Sequence, residues 1–176
     1  MNVAPISALE ELIPADAIAR RTAELGKQIM EDYGNEPLVV VGILKGSFLF
    51  LADLVRHLGP NITVDFVQVS SYGSEKSSSG VVQIRKDLDV SIEGKHVLLV
   101  EDIVDTGMTL AHLRQLLSVR NPLSLKVASL LSKPDARKLD TTVEYIGFDI
   151  PNEFVVGYGL DYAERFRNLP YIAILR

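Results

Sequence analysis

The fold of this chain is decided by the stretch Val97-Leu98-Leu99-Val100-Glu101-Asp102-Ile103-Val104-Asp105-Thr106-Gly107-Met108-Thr109-Leu110. The apolar run at 97–100 predicts a buried strand, and the Thr106-Gly107 turn before further apolar residues predicts the start of a helix. Acidic and hydroxyl side chains therefore lie where a strand ends and a helix begins. Ligands bind at that edge of open α/β sheets, and the free N–H groups of the helix favour an anion such as phosphate.

Strand and helix patterns also alternate through the rest of the chain. Apolar spacing predicts helices over residues 18–33, 48–58 and 110–119, the first ended by Gly34. Strands are predicted over residues 38–43, 62–69, 81–84, 96–100, 125–131, 143–148 and 171–175. This order favours an α/β fold with a mostly parallel, twisted sheet flanked by helices. Because no repeat or linker divides the sequence, we expect residues 1–176 to form a single domain.

The composition excludes several classes of protein. The chain has 176 residues, of which 47% are hydrophobic and 23% are charged, as is typical of a soluble globular domain. Its net charge of −5 argues against a broad basic surface and so against a nucleic-acid partner. The absence of cysteine excludes disulfides, thiolate metal ligands and a cysteine nucleophile. Since neither a secretory signal nor a long apolar span is recognisable, we expect a cytoplasmic protein without a membrane partner.

The segment that begins at Ile62 changes character twice. Ile62, Val64 and Phe66 alternate with polar residues, and the phase then reverses, which predicts a strand buried on both faces or a bulge near Phe66-Val67. Residues 70–80 are rich in glycine and serine without apolar periodicity, which predicts a surface loop or a lid.

Each polar turn also has a purely structural interpretation. Asp105 or Thr106 could cap the following helix, and Ser47 could do the same after the strand at 38–43. Capping leaves Glu101 and Asp102 unexplained. These two neighbours on a strand should point to opposite faces and so serve different purposes.

The acidic stretch resembles the phosphoribosyl pyrophosphate signature of the type I phosphoribosyltransferases, and the resemblance extends from about residue 38 to residue 175. It implies the fold of that family, with a lid loop at about 70–82 and a hood made by N-terminal residues and about 148–176. It also implies that Glu101 and Asp102 contact the ribose hydroxyls and the Mg²⁺ shell. The sugar phosphate would lie in the turn Asp105-Thr106-Gly107-Met108-Thr109, and Asp105 would accept the proton of N-7 of a purine.

Other segments resemble further parts of the same site. Lys45-Gly46 matches the family's pyrophosphate loop, in which the peptide bond matching Leu44–Lys45 is often cis, and Ser71-Tyr72 matches the catalytic lid. The resemblance to the hypoxanthine-guanine phosphoribosyltransferases assigns the remaining roles. Lys133 would donate to O-6 of the base, Phe154 would stack on it, Val155 would meet its edge, Asp161 would bind a second Mg²⁺ through water, and Arg167 would meet pyrophosphate.

The resemblance implies Mg²⁺-dependent phosphoribosyl transfer to a 6-oxopurine by a homodimer or homotetramer. Two alternatives stay open. A relative that prefers xanthine would keep the same residues, whereas Lys133 and Phe154-Val155 argue against adenine. A nucleic-acid-binding regulator could use the same fold, although the acidic composition argues against it.

Overall fold

The computed structural model describes residues 9–71 and 82–176. Its strands are β1 (Leu9–Ile13), β2 (Leu38–Leu44), β3 (Ile62–Ser71), β4 (Val82–Lys86), β5 (His96–Val104), β6 (Ser124–Ser132), β7 (Tyr145–Asp149), β8 (Val155–Val156) and β9 (Ile172–Leu175). Its α-helices are α1 (Ala15–Tyr33), α2 (Phe48–Leu54) and α3 (Met108–Ser118). Short 3₁₀ turns follow α2 at Val55–His57 and β6 at Pro134–Ala136.

A central sheet of six strands has the order β4-β3-β2-β5-β6-β7. All neighbouring strands are parallel except β4, which pairs antiparallel with β3 at one edge. The predicted α/β class with a mostly parallel sheet is therefore confirmed. Because β2, β5 and β6 run in the same direction, the turns that follow Leu44, Val104 and Ser132 meet at one edge of the sheet.

Alternate residues of the central strands pack into two hydrophobic cores. Val40 of β2 and Leu98 of β5 pack with α1 and α2 on one face, and Val41 and Leu99 pack with α3 on the other. Burial on both faces explains why these strands are continuous apolar runs. The sheet is thus a rigid platform for the turns at its carboxyl edge.

A second sheet of three strands, in the order β1-β9-β8, combines the N-terminal and C-terminal parts of the described chain. Its strands pair antiparallel, with Leu9 opposite Leu175 and Val155 opposite Ile174. These segments coincide with those expected to form a hood. The division into one domain stays a prediction. Among the described residues, no helix has the length and apolar character required to cross a membrane.

Several local predictions differ from the structure. Strand β5 continues through Val104, so Glu101 and Asp102 lie within the strand and not after its end. Helix α2 ends at Leu54, and the register shift in β3 lies between Gln68 and Val69, not at Phe66-Val67. In β3, one polar residue is also buried and one apolar residue exposed, the reverse of what the sequence pattern predicts. Asp65 is only 4% exposed and accepts hydrogen bonds from the N–H groups of Asp89 and Val90, whereas Val64 is 44% exposed.

Candidate active site

The turn between β5 and α3 has the geometry of an anion site. Gly107 occupies the N-cap position with φ +81°, a conformation that favours glycine, and it has no side chain with which to cap the helix. Neither Asp105 nor Thr106 is therefore the N-cap residue, and Thr106 reaches the helix only through a long contact of its hydroxyl with the N–H of Met108. The carbonyl oxygen of Thr106 accepts from the N–H of Lys138 at 3.0 Å, which ties the turn to the segment after β6. The first N–H groups of α3 have no partner within the helix and can meet an anion.

A cavity of about 90 Å³ lies over this turn, and we call it the turn cavity. It is lined by residues of the turn and of the adjoining ends of β5 and α3: Glu101, Ile103, Val104, Asp105, Thr106, Gly107, Thr109 and Leu110. The turn is therefore open to a ligand. Met108, also expected here, begins α3, and its N–H lies 3.4 Å from the hydroxyl of Thr106.

Glu101 and Asp102 diverge, as their adjacent positions on a strand predict. Glu101 faces the turn cavity, where its Oε2 is buried without a hydrogen-bond partner. Burial and, to a smaller extent, the Asp102 carboxylate raise the pKa of Glu101 well above its ordinary range. Burial also raises the pKa of Asp102 to about 6, although the N–H of Ile103 donates to its Oδ1 at 2.9 Å. Among the described residues neither carboxylate forms a salt bridge, although the Arg167 charge acts on Asp102. Two such carboxylates removed from water are costly to the fold, which indicates a role in binding.

Gly46 allows the loop after β2 to approach β5 closely. A Cβ atom at Gly46 would overlap Oδ2 of Asp102, and a Cβ atom at Gly159 would overlap the carbonyl oxygen of Gly46. The Leu44–Lys45 peptide bond is cis, as it often is in the loops that this segment resembles. Ser47 stands at the N-cap of α2, but its hydroxyl donates backwards to the Ile43 carbonyl oxygen at 2.7 Å instead of capping the helix.

A second cavity, of about 170 Å³, contains Lys133, and we call it the lysine cavity. Lys133 is only 7% exposed, and its Nζ lies 3.4 Å from Oδ2 of Asp105. Phe154 is 52% exposed on the cavity wall, with the ring of Tyr162 edge-on to it at 5.9 Å. The other lining residues are Asp102, Ile103, Asp105, Val155, Leu160 and Asp161. An apolar wall opposite a buried ammonium suits a flat ligand with a hydrogen-bond acceptor.

Beside the lysine cavity, Asp161 and Arg167 form a linked pair. Nη2 of Arg167 lies 2.8 Å from Oδ1 of Asp161, and Nη1 donates to the carbonyl oxygen of Gly159 at 2.7 Å. Glu164 lies within 3.0 Å of Lys45 Nζ and 3.5 Å of Arg167 Nη2. The two cations expected to meet pyrophosphate are thus brought together around one carboxylate.

Two of the residues expected at the site lie at the end of β3 and directly after it. Tyr72 lies outside the described residues, and so does the side chain of Ser71, the last residue of β3. Within residues 9–71 and 82–176, no three His, Cys, Asp or Glu side chains converge as a metal-binding group, so Glu101, Asp102 and Asp161 do not form one shared ligand set.

Three residues at the site were not singled out from the sequence. Ile103 lines both cavities, Leu160 lines the lysine cavity, and Glu164 contacts both cations. Ile103 could have been found, because it lies between the acids of the decisive stretch. Glu164 carried no signal, since an exposed glutamate in a charged loop is ordinary.

A parallel α/β sheet with an anion cavity over a glycine turn and a lysine cavity beside it defines a class of enzyme that binds a phosphorylated ligand and a flat ligand side by side. Comparison with known proteins gives the family. The model of the family described as "Phosphoribosyl transferase domain" matches residues 8–163, and the chain belongs to this family. Its fold is that of the type I phosphoribosyltransferases.

Individual relatives are similar over almost their whole length. A hypoxanthine-guanine phosphoribosyltransferase of Dictyostelium discoideum is 53% identical over 171 residues, which are 95% of either chain. A hypoxanthine phosphoribosyltransferase of Escherichia coli K12 is 53% identical over 166 residues, which are 93% of either chain. The crystal structure of a hypoxanthine phosphoribosyltransferase from Staphylococcus aureus has a TM-score of 0.94 and 48% identity, covering 100% of this chain and 96% of that one.

Proposed function

We propose that this chain transfers the 5-phosphoribosyl group from phosphoribosyl pyrophosphate to hypoxanthine or guanine, giving IMP or GMP and pyrophosphate in purine salvage. One observation carries the choice of base. A buried lysine and an exposed phenylalanine line the same cavity, which shares Asp105 and Ile103 with the turn cavity. The names of the similar proteins support the same choice.

The lysine cavity would select a 6-oxopurine. The ammonium of Lys133 is a donor without acceptor capacity, so it complements O-6 of hypoxanthine or guanine and opposes the amino group of adenine. Phe154 is 52% exposed beside Tyr162, so part of its ring is available to stack on a ligand. A purine stacked there would place its edge against Val155, whose backbone is held in β8.

The turn cavity would hold the sugar phosphate of the donor. Backbone N–H groups at the start of α3 and the hydroxyls of Thr106 and Thr109 would bind the phosphate. Glu101 and Asp102 would accept hydrogen bonds from the ribose hydroxyls, which accounts for two carboxylates that form no salt bridge among the described residues. Lys45, the backbone at Gly46 and Arg167 would bind the diphosphate, for which a guanidinium is well shaped.

Magnesium fits the donor set of this site. The unpartnered Oε2 of Glu101 and the carboxylates of Asp102 and Asp161 are hard oxygen ligands, of the kind Mg²⁺ prefers. Because three such groups do not converge among the described residues, the ions would share ligands with the diphosphate and water. Bound Mg²⁺ would neutralise charge on the departing diphosphate.

The chemistry is a substitution at the anomeric carbon. A bond forms from a purine nitrogen to that carbon as the bond to the diphosphate oxygen breaks. Lys45 and Arg167 would stabilise the charge that develops on the leaving group, and Asp105 would accept the purine proton at N-7. Ser71 and Tyr72 are proposed to belong to a lid that excludes water from the cationic sugar.

The direct test is to incubate the purified chain with Mg²⁺, phosphoribosyl pyrophosphate and each of hypoxanthine, guanine, xanthine or adenine. Nucleotide products are then resolved by chromatography. IMP and GMP are expected, without AMP. Xanthine monophosphate formed faster than either would favour the xanthine-preferring alternative, and no nucleotide with any base would contradict the proposal. Assembly as a homodimer or homotetramer, and residence in the cytoplasm, stay predictions.

A further inference from the structure

The two cations assigned to diphosphate, Lys45 and Arg167, already share an anion in the free chain. Oε2 of Glu164 lies 3.0 Å from Lys45 Nζ and 3.5 Å from Arg167 Nη2. The same oxygen therefore contacts both of the cations that the proposed function assigns to the diphosphate. Lys45 and Glu164 are separated by 119 positions, so the contact joins the loop after β2 to the C-terminal loop.

The backbone around Glu164 holds it in this place. Its N–H donates to Oδ2 of Asp161 at 2.8 Å, and Tyr162 and Arg165 exchange backbone hydrogen bonds on either side. Glu164 itself has φ +63°, which is unusual for a residue with a side chain. The turn thus directs the carboxylate towards the cations.

The side chain is nevertheless free to leave. Glu164 is 67% exposed, and within residues 9–71 and 82–176 its carboxylate forms ion pairs with these two cations alone, so rotation about its χ angles would release it into water. The hydrogen bond from Lys45 lowers the pKa of Glu164, so the carboxylate is ionised at neutral pH and competes as an anion. Arg167, by contrast, is largely buried and keeps its contacts with Asp161 and Gly159.

We propose that Glu164 is an internal competitor for the diphosphate: its carboxylate occupies the anion position between Lys45 and Arg167 and must be displaced when the donor or pyrophosphate binds. This inference rests on the proposed function. Its consequence is that Glu164 weakens diphosphate binding and assists release of the pyrophosphate product, because it returns to the cations as the product leaves.

The test is calorimetric titration of the full chain with magnesium pyrophosphate. The variant Glu164→Gln keeps the size of the side chain and removes its charge. We expect its dissociation constant to fall about two- to fivefold, the range for an exposed ion pair. The effect should shrink in 0.5 M salt, since exposed charges are screened. In steady-state assays, KM for the donor should fall by a similar factor.

Two controls separate competition from other causes. Glu36→Gln makes the same charge change at an exposed residue before β2, at the opposite edge of the sheet, and should leave the dissociation constant unchanged. In the Lys45→Met background, Glu164→Gln should lose most of its effect, because the shared cation is gone. Glu164→Asp, which keeps the charge, should restore most of the wild-type affinity.

The outcomes distinguish this inference from the proposed function. If wild type binds pyrophosphate and makes nucleotide, but Glu164→Gln binds pyrophosphate equally or more weakly, the competitor role is overturned and the proposed function stands. If wild type neither binds pyrophosphate nor makes nucleotide, the proposed function fails and this inference fails with it.

Discussion

Asp102 stabilises the ligand-free protein less than a neutral residue would. Its carboxylate packs against Gly46 and forms no salt bridge among the described residues, and the Arg167 charge offsets only part of the effect of burial, which raises its pKa to about 6 from the ordinary value of 3.8. In the variant Asp102→Asn the amide oxygen can still accept the N–H of Ile103, but the charge is absent. We expect the variant to unfold at a higher denaturant concentration than wild type at pH 8 and to lose phosphoribosyl transfer.

The magnitude follows from the two pKa values. The folded state holds the proton of Asp102 more tightly than the unfolded state does, so the contribution of Asp102 to stability falls as the pH rises from about 4 to about 6. The pKa of Asp102 differs by just over two between the folded and unfolded states. This difference lowers the free energy of unfolding by about 3 kcal/mol once both states are ionised, and by about 1.5 kcal/mol at pH 5. The difference in free energy of unfolding between Asp102→Asn and wild type should therefore decrease by about 1.5 kcal/mol from pH 8 to pH 5.

Urea unfolding at pH 5, 6, 7 and 8, without Mg²⁺ or substrates, measures this gap. Asp140→Asn is the matched control, because it makes the same substitution at an exposed residue and should change the free energy of unfolding by less than about 0.5 kcal/mol. The reasoning is refuted if the difference in free energy of unfolding between Asp102→Asn and wild type is the same at pH 5 and pH 8, whatever its size.

Three further substitutions test the site. Gly46→Ala places a methyl group on Asp102 Oδ2, so we expect the free energy of unfolding to fall by about 1–3 kcal/mol and calorimetry to show weaker pyrophosphate binding; wild-type values would disprove the close packing. Lys133→Met keeps the apolar stem and removes the donor, so KM for hypoxanthine and guanine should rise about 10- to 100-fold, and unchanged constants would exclude contact with O-6. Asp105→Asn should lower the turnover number by about 10² to 10⁴ while donor affinity by calorimetry stays close to wild type, and an unchanged turnover number would remove Asp105 from the proton step.

The core of the fold could be predicted because its strands are buried on both faces. Residues 38–43 and 96–100 are continuous apolar runs that only a covered parallel strand explains, and both lie in the centre of the observed sheet. Strands β1 and β8 were missed. The sequence Leu-Glu-Glu-Leu-Ile of β1 lacks alternation, and β8 is two residues long, so pairing with β9 and not local pattern makes them strands.

Some polar residues of the site could be predicted from the sequence, and others could not. The acids of β5 were found because carboxylates after a buried run have no structural explanation. The burial of Asp65 was not found, because it depends on N–H groups of Asp89 and Val90, more than twenty positions away. The position of Glu164 likewise depends on Lys45, which a linear pattern cannot bring near it.

Ile103 and Asp105 line both cavities. A ligand that contacts either residue from one cavity therefore also contacts the lining of the other. If the first ligand to bind fixes the carboxylate of Asp105 in the orientation that suits the second ligand, the second ligand binds more tightly. Thermodynamic linkage then requires that each ligand raises the affinity for the other by the same factor. A shared wall of two residues would thus be enough to couple sugar and base without any movement of the sheet behind them.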